Sequence, residues 1–211
     1  MRESQLKGRL RLRHLLEVTE AVGEEMDNER PRFQRLANEE SKTRAVSSFN
    51  LFQTPEPLAD RVAQMLPLEG RILEPSAGLG RLYRAIRKQS DCQVTLVEIS
   101  SDCCGELYRE TEADENATLI QADFLDCTWE RIGTFDGILM NPPFKQGRDI
   151  KHIEHALTFL NAGGRLVSLC ANGPRQQKRL RTIADEYHEL PPGSFKESFT
   201  NVSAAIVIFN R

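Results

Sequence analysis

Arg71-Ile72-Leu73-Glu74-Pro75-Ser76-Ala77-Gly78-Leu79-Gly80 is the stretch whose reading decides the fold. A short apolar run ends in an acid, a loop of small residues follows, and helical spacing resumes over residues 80–89. Strand, tight loop and helix in that order make the first half of a βαβ unit. Small side chains let the loop backbone approach a ligand closely, and glycine tolerates the backbone angles of a tight turn.

The same alternation continues outward in both directions. A helix over residues 56–66 precedes the loop, and Gln93 to Glu98 reads as a second strand. An acidic helix over 101–112, a short strand over 118–121 and the strand Phe135 to Met140 follow. Ile150, Ile153, Leu157 and Leu160 mark one face of an amphipathic helix closed by Gly163-Gly164, before a fifth strand over 164–170. A basic helix over 175–187 leads to two final strands joined by a loop, the second over 204–209. Strands alternating with helices imply a sheet covered on both faces. The expected architecture is α/β: a Rossmann-like, doubly wound, mostly parallel seven-stranded sheet over residues 46–211. Leu12, Leu15, Leu16 and Val22 recur at helical spacing among Arg and Glu, so residues 1–45 read as a helical N-terminal extension.

In an open doubly wound sheet, ligands lie beyond the carboxyl ends of the strands where the strand order reverses. Each post-strand turn here carries chemistry. Glu98 ends the second strand, where an acid accepts hydrogen bonds from both hydroxyls of an unphosphorylated ribose. Asp123 and Phe124 follow the third, offering an acceptor for an amino group and a ring for a base face. No basic phosphate cradle accompanies them, which points to a nucleoside ligand rather than NAD or ATP.

The fourth strand runs into Asn141-Pro142-Pro143-Phe144. Tandem prolines fix φ and hold the backbone extended, which sets the directions of the flanking carbonyls. The Asn side-chain oxygen and the Pro142 carbonyl can then accept both hydrogens of one amino group. Two acceptors draw that nitrogen toward tetrahedral geometry and free its lone pair to attack an electrophilic methyl. Phe144 supplies a flat face for stacking.

With these residues the chain resembles the class I S-adenosylmethionine-dependent methyltransferases, and among them the N6-adenine DNA methyltransferases of phages and restriction-modification systems. The likeness covers about residues 49–211. It implies that Phe52, Thr54 and Pro55 (the family's Phe-x-Thr-Pro element) help bind S-adenosylmethionine. It likewise assigns Glu74, Ser76, Ala77, Gly78 and Gly80 to the cofactor loop, Glu98 to the ribose, Asp123 and Phe124 to the adenine, and Ile99 to the cofactor-binding set. Asn141, Pro142, Pro143 and Phe144 are the catalytic tetrapeptide, and an aromatic of the C-terminal loop, Phe195 or Phe199, packs against a flipped target base. Ser76 stands where many class I enzymes carry the first loop glycine. The same tetrapeptide also serves enzymes acting on guanine N2 of RNA, and a Tyr-ended form methylates protein glutamine. A noncatalytic cofactor-binding partner subunit is the remaining alternative.

Lys145, Arg148 and the run Arg175, Lys178, Arg179 and Arg181 lie on the same sheet edge and are expected to track a polynucleotide backbone, DNA before RNA. Net charge is −3, so any such contact is local rather than global. With the core starting near residue 49, target selectivity falls to the N-terminal helices, a partner subunit or a homodimer built through them. His152 and His155 sit off the apolar stripe and read as surface histidines, with no metal site expected. Five cysteines without a CxxC pair, no signal peptide and no long apolar run give the expectation of a cytoplasmic protein that does not enter a membrane.

Overall fold

The computed structural model describes residues 53–195 and 202–211. The expected N-terminal helices, Phe52 and Phe199 lie outside the described residues. Seven strands form the sheet: β1 (Arg71–Pro75), β2 (Gln93–Glu98), β3 (Ala117–Gln121), β4 (Phe135–Met140), β5 (Leu160–Ala171), β6 (Glu186–Glu189) and β7 (Ala204–Asn210). Their order is β3-β2-β1-β4-β5-β7-β6. The strands from β3 to β5 pair in parallel, whereas β7 runs antiparallel to both β5 and β6. The order reverses between β1 and β4, and that pair of strand ends positions the site.

Successive strand residues feed two separate cores, one on each face. Ile72, Leu96, Leu139 and Ile206 face one cluster, and Leu73, Val97, Ile138 and Val207 face the other. Burial on both faces explains why these strands read as continuous apolar runs. Against the first face lie α1 (Glu56–Ala63), α2 (Arg81–Arg87) and α3 (Ser101–Thr111), which bury Leu58, Val62, Leu82, Ile86 and Leu107. Lys88, just past α2, reaches Glu56 at 2.6 Å and Asp60 at 3.1 Å and so ties α1 to it. Against the second face lies α5 (Arg148–Ala156), with the short α4 (Trp129–Ile132) before β4 and α6 (Pro174–Arg179) after β5. Among the described residues, no helix is long and apolar enough to cross a membrane.

Two expected boundaries are corrected. The amphipathic helix ends at Ala156, a 3₁₀ turn spans Leu157–Phe159, and Leu160 already belongs to β5. Gly163 and Gly164 therefore sit inside β5 and do not close the helix. A Cβ on Gly164 would fall 2.9 Å from the carbonyl oxygens of Asn161 and Asp136, so the bent start of β5 admits only glycine there. The basic helix is also shorter than its charge pattern implies. It stops at Arg179, and Glu186–Glu189 pairs with β7 as an edge strand.

Candidate active site

At the carboxyl ends of β1 and β4 the turns enclose a cavity of about 220 Å³. Ser76, Ala77, Gly78 and Leu79 form one wall, Glu98, Ile99, Asp123 and Phe124 another, and Thr54, Asn141, Pro142 and Pro143 a third. The loop after β1 coils tightly, with Ser76, Gly78 and Gly80 all at positive φ (62°, 57° and 75°). Gly80 does not line the cavity. It starts α2, and a Cβ there would press to 2.8 Å from the Leu107 side chain. Pro55 is likewise a helix-starting residue, at the cap of α1.

Glu98 is buried and locked before any ligand arrives. One carboxylate oxygen accepts from the Gly78 N–H at 2.7 Å and the other from the Ser100 N–H at 2.8 Å. Each oxygen keeps a second lone pair for a ligand hydroxyl. Asp123 accepts from the Leu125 N–H at 3.0 Å through one oxygen, and Arg148 stands 3.5 Å from the other. Phe124 is buried more deeply than a covering ring needs to be. It packs edge-on to His155 (4.9 Å between centroids) and tilted on Phe159 (5.4 Å), so it braces the cavity from below. Ile99, 61% exposed, is the apolar surface left on the rim beside Glu98. Glu74 is fully enclosed, its Oε2 has no hydrogen-bond partner, and burial raises its pKa well above the usual carboxylate range. A cationic group entering the cavity would supply what this carboxylate lacks.

His152 corrects the expectation of a surface residue. It is 3% exposed, faces the cavity from α5, and places Nδ1 3.3 Å from the Ser76 hydroxyl. That contact anchors a serine held in the left-handed region, where most side chains are strained. Desolvation, with Arg148 nearby, lowers the His152 pKa to about 4, so the ring stays neutral through the physiological range. An unfolded chain takes up this proton near pH 6.5 and the folded chain does not, so the group costs stability as pH falls from about 6.5 toward 4. His152→Gln, measured by urea unfolding, should therefore destabilise the protein more at pH 7.5 than at pH 4.5. Equal penalties at both values would exclude a buried neutral imidazole. His155 is half-buried as well, with Nε2 3.0 Å from the Cys127 carbonyl.

Asn141 gives an amide hydrogen to the Thr54 hydroxyl at 3.0 Å. This spends the nitrogen end of the amide on the protein and turns the acceptor end, Oδ1, away from Thr54. Pro142 is buried and Pro143 half-buried, which fixes the backbone beside it. Phe144 is half-buried and meets Phe195 edge-to-face with centroids 6.1 Å apart. Phe195 itself is 1% exposed, so it props Phe144 from the core and offers no stacking face of its own. Asp149 escaped the sequence reading. It is completely buried and accepts from the Ala171 N–H at 3.0 Å and the Gln176 amide at 2.9 Å, tying the start of α5 to the end of β5 and to α6.

The basic residues divide into two groups. Arg179 pairs with Glu154 and Arg181 with Glu189, whereas Lys145, Arg175 and Lys178 carry no ion pair among the described residues. Arg175 lies over the loop that follows the tetrapeptide, its guanidinium 3.5 Å from where a Gly147 Cβ would be.

A family model described as the methyltransferase small domain matches residues 56–193. No curated protein matches the sequence. Among solved structures, a candidate RNA methyltransferase from Pyrococcus horikoshii superposes with a TM-score of 0.63 at 16% identity, covering 86% of this chain and 99% of that one. An RNA methyltransferase from Salinibacter ruber in complex with S-adenosyl-L-homocysteine gives 0.55 at 14% identity, covering 75% and 92%. A geranyl diphosphate methyltransferase in complex with S-adenosylmethionine gives 0.58 at 15%, covering 74% and 85%. These structures share the fold while being named for unlike acceptors, so the fold does not choose the acceptor.

Proposed function

The chain belongs to the methyltransferase small domain family, and from that membership we propose that it transfers a methyl group from S-adenosylmethionine to the exocyclic N6 of adenine in a polynucleotide. One observation carries the reading. Asn141, oriented by Thr54, stands at the β4 end of a cavity whose β2 and β3 walls hold Glu98 and Asp123. The cofactor's nucleoside suits those walls. Glu98 would take the two ribose hydroxyls, Asp123 the adenine amino group and Ile99 the adenine face. The unpartnered Oε2 of Glu74 suits the cofactor's ammonium group. When bound, the cofactor supplies an electrophilic methyl on its sulfonium.

The chain's own residues do the rest. Asn141 Oδ1 and the Pro142 carbonyl each accept one hydrogen of the acceptor amine, which removes its lone pair from conjugation and aims it into the cavity. Phe144, backed by Phe195, stacks on the base. No side chain has to act as a base before transfer, because the amine attacks while neutral: the N–C bond would form as the methyl's C–S bond breaks and leaves a neutral thioether, and the methylated, positively charged nitrogen then gives one proton to water.

The tetrapeptide asks only for an amine conjugated to a ring or carbonyl; adenine rests on the Phe-x-Thr-Pro element, the Glu-Pro-Ser-Ala-Gly loop and the aromatic C-terminal loop, of which Phe195 acts through Phe144, and DNA is the first polynucleotide to test. RNA is the second reading, favoured by relatives of this fold that act on it. Tritiated methyl transfer to DNA, RNA and protein in parallel, with digestion of the labelled product, tests the assignment. Label in N6-methyladenine is the expected result, and label confined to protein would overturn it. If the free cations hold the backbone, Arg175→Glu combined with Lys178→Glu should weaken binding and reduce the slope of log affinity against log salt by about 2, from roughly one counterion per lost phosphate contact. An unchanged slope would leave these residues as a solvated face.

A further inference from the structure

Arg81 opens α2 and lines the cavity, yet neither the ribose nor the adenine wall uses it. Its Nε donates to Gln53 Oε1 at 3.2 Å, and Gln53 adjoins Thr54, the residue that holds Asn141. Arg81 therefore belongs to the side of the cavity nearest β4, while Glu98 and Asp123 stand over β2 and β3 on the other side of β1. The closest carboxylate to Arg81 is Glu56, at 4.0 Å, and Lys88 already holds Glu56 at 2.6 Å. The cavity's other permanent cation, Arg148, is taken up beside Asp123.

With its nucleoside over β2 and β3 and its sulfonium meeting an amine on Asn141, the cofactor's amino-acid arm would be left to the Thr54–Gln53 side. That arm carries a carboxylate. Its removal from water into the cavity calls for a fixed positive partner. Guanidinium is well suited to the task, since two parallel N–H groups match the two oxygens of a carboxylate. With Nε engaged by Gln53, the guanidinium of Arg81 is held in one orientation, and among the described residues its terminal nitrogens have only the 4.0 Å approach of Glu56, which a ligand carboxylate could displace.

We propose that Arg81, oriented by Gln53, is the carboxylate receptor for the amino-acid end of the cofactor. The proposal rests on the S-adenosylmethionine reading. It makes Arg81, beside Glu74 on the ammonium, a residue that distinguishes an intact cofactor from a nucleoside thioether lacking the amino acid.

Calorimetric titration of the purified protein with S-adenosylhomocysteine and with 5′-methylthioadenosine separates the two claims, because both ligands share the nucleoside and only the first has the carboxylate. Arg81→Gln should weaken S-adenosylhomocysteine about tenfold or more, as expected for loss of a charge-assisted bond, and leave 5′-methylthioadenosine unchanged. Undiminished affinity for S-adenosylhomocysteine would overturn the assignment while leaving the cofactor reading intact. An equal loss for both ligands would also overturn it, since Arg81 would then act through the shape of the loop. If the unaltered protein binds neither ligand, the cofactor reading fails and this proposal with it.

Discussion

Asn141→Ala should lower kcat by about 100-fold or more, the usual cost of deleting one preorganised polar group that acts on the transition state. The affinity for S-adenosylhomocysteine should change little, because in the proposed reading the nucleoside contacts belong to Glu98 and Asp123. The expectation follows from how the amide is held. Thr54 takes the amide nitrogen at 3.0 Å, and a buried Pro142 fixes the adjacent carbonyl. Two acceptors are thus set in place before the substrate arrives, and no reorganisation is needed at the moment of transfer. Alanine removes one acceptor while Pro142 retains the other, so the amine would bind flat and conjugated and attack slowly. Single-turnover kinetics with saturating cofactor would isolate this step. Wild-type turnover in the variant would remove Asn141 from the chemistry, and a parallel loss of cofactor affinity would recast it as part of the cavity wall.

The elements nearest the site were the most legible in the sequence. β2 and β4 begin and end where the apolar runs place them, because burial on both faces leaves no choice of register. The turns after β1 to β4 were legible for a related reason: their glycines, prolines and acids have no part in the core. Where reading failed, polar residues were involved. The buried stripe of α5 is Asp149, His152, Ile153 and Ala156, spaced as a helix face should be, yet half of it is polar. The apolar residues Ile150, Leu157 and Leu160 suggested a different face and a longer helix. Asp149 and His152 are tolerated inside because the Ala171 N–H, Gln176 and Ser76 meet them, and those partners are distant in sequence. β6 was expected as the strand before the last, but its first residues read as the end of the basic helix, for the opposite reason. Its four residues, Glu186-Tyr187-His188-Glu189, lie on the sheet edge, where one partner strand suffices and no apolar run is required. Phe195 illustrates the limit of composition alone: a ring in a polar loop is equally suited to a base or to the core, and here the neighbouring Phe144 captured it.

Glu98→Ala should raise the dissociation constant for S-adenosylhomocysteine by about 100-fold or more, since two hydrogen bonds to a charged acceptor are worth about 1.5–3 kcal/mol each and 1.4 kcal/mol is a factor of ten. The more telling substitution is Glu98→Gln. In many ribose sites an amide would be a mild change, because one oxygen remains to accept a hydroxyl. Here both carboxylate oxygens already accept backbone hydrogens, from Gly78 at 2.7 Å and Ser100 at 2.8 Å. An amide has to point its NH₂ at one of these N–H groups, and two donors then face each other in a buried place. Gly78 lies in the coiled loop that forms the cavity wall, so the strain would reach the cofactor loop itself. Glu98→Gln is therefore expected to weaken binding nearly as much as Glu98→Ala, and to lower the melting temperature of the free protein as well. Calorimetry on the three proteins measures the first effect and thermal unfolding without ligand the second. If Gln restores wild-type affinity, the ribose reading has lost its physical basis, because the site would not depend on a carboxylate at all.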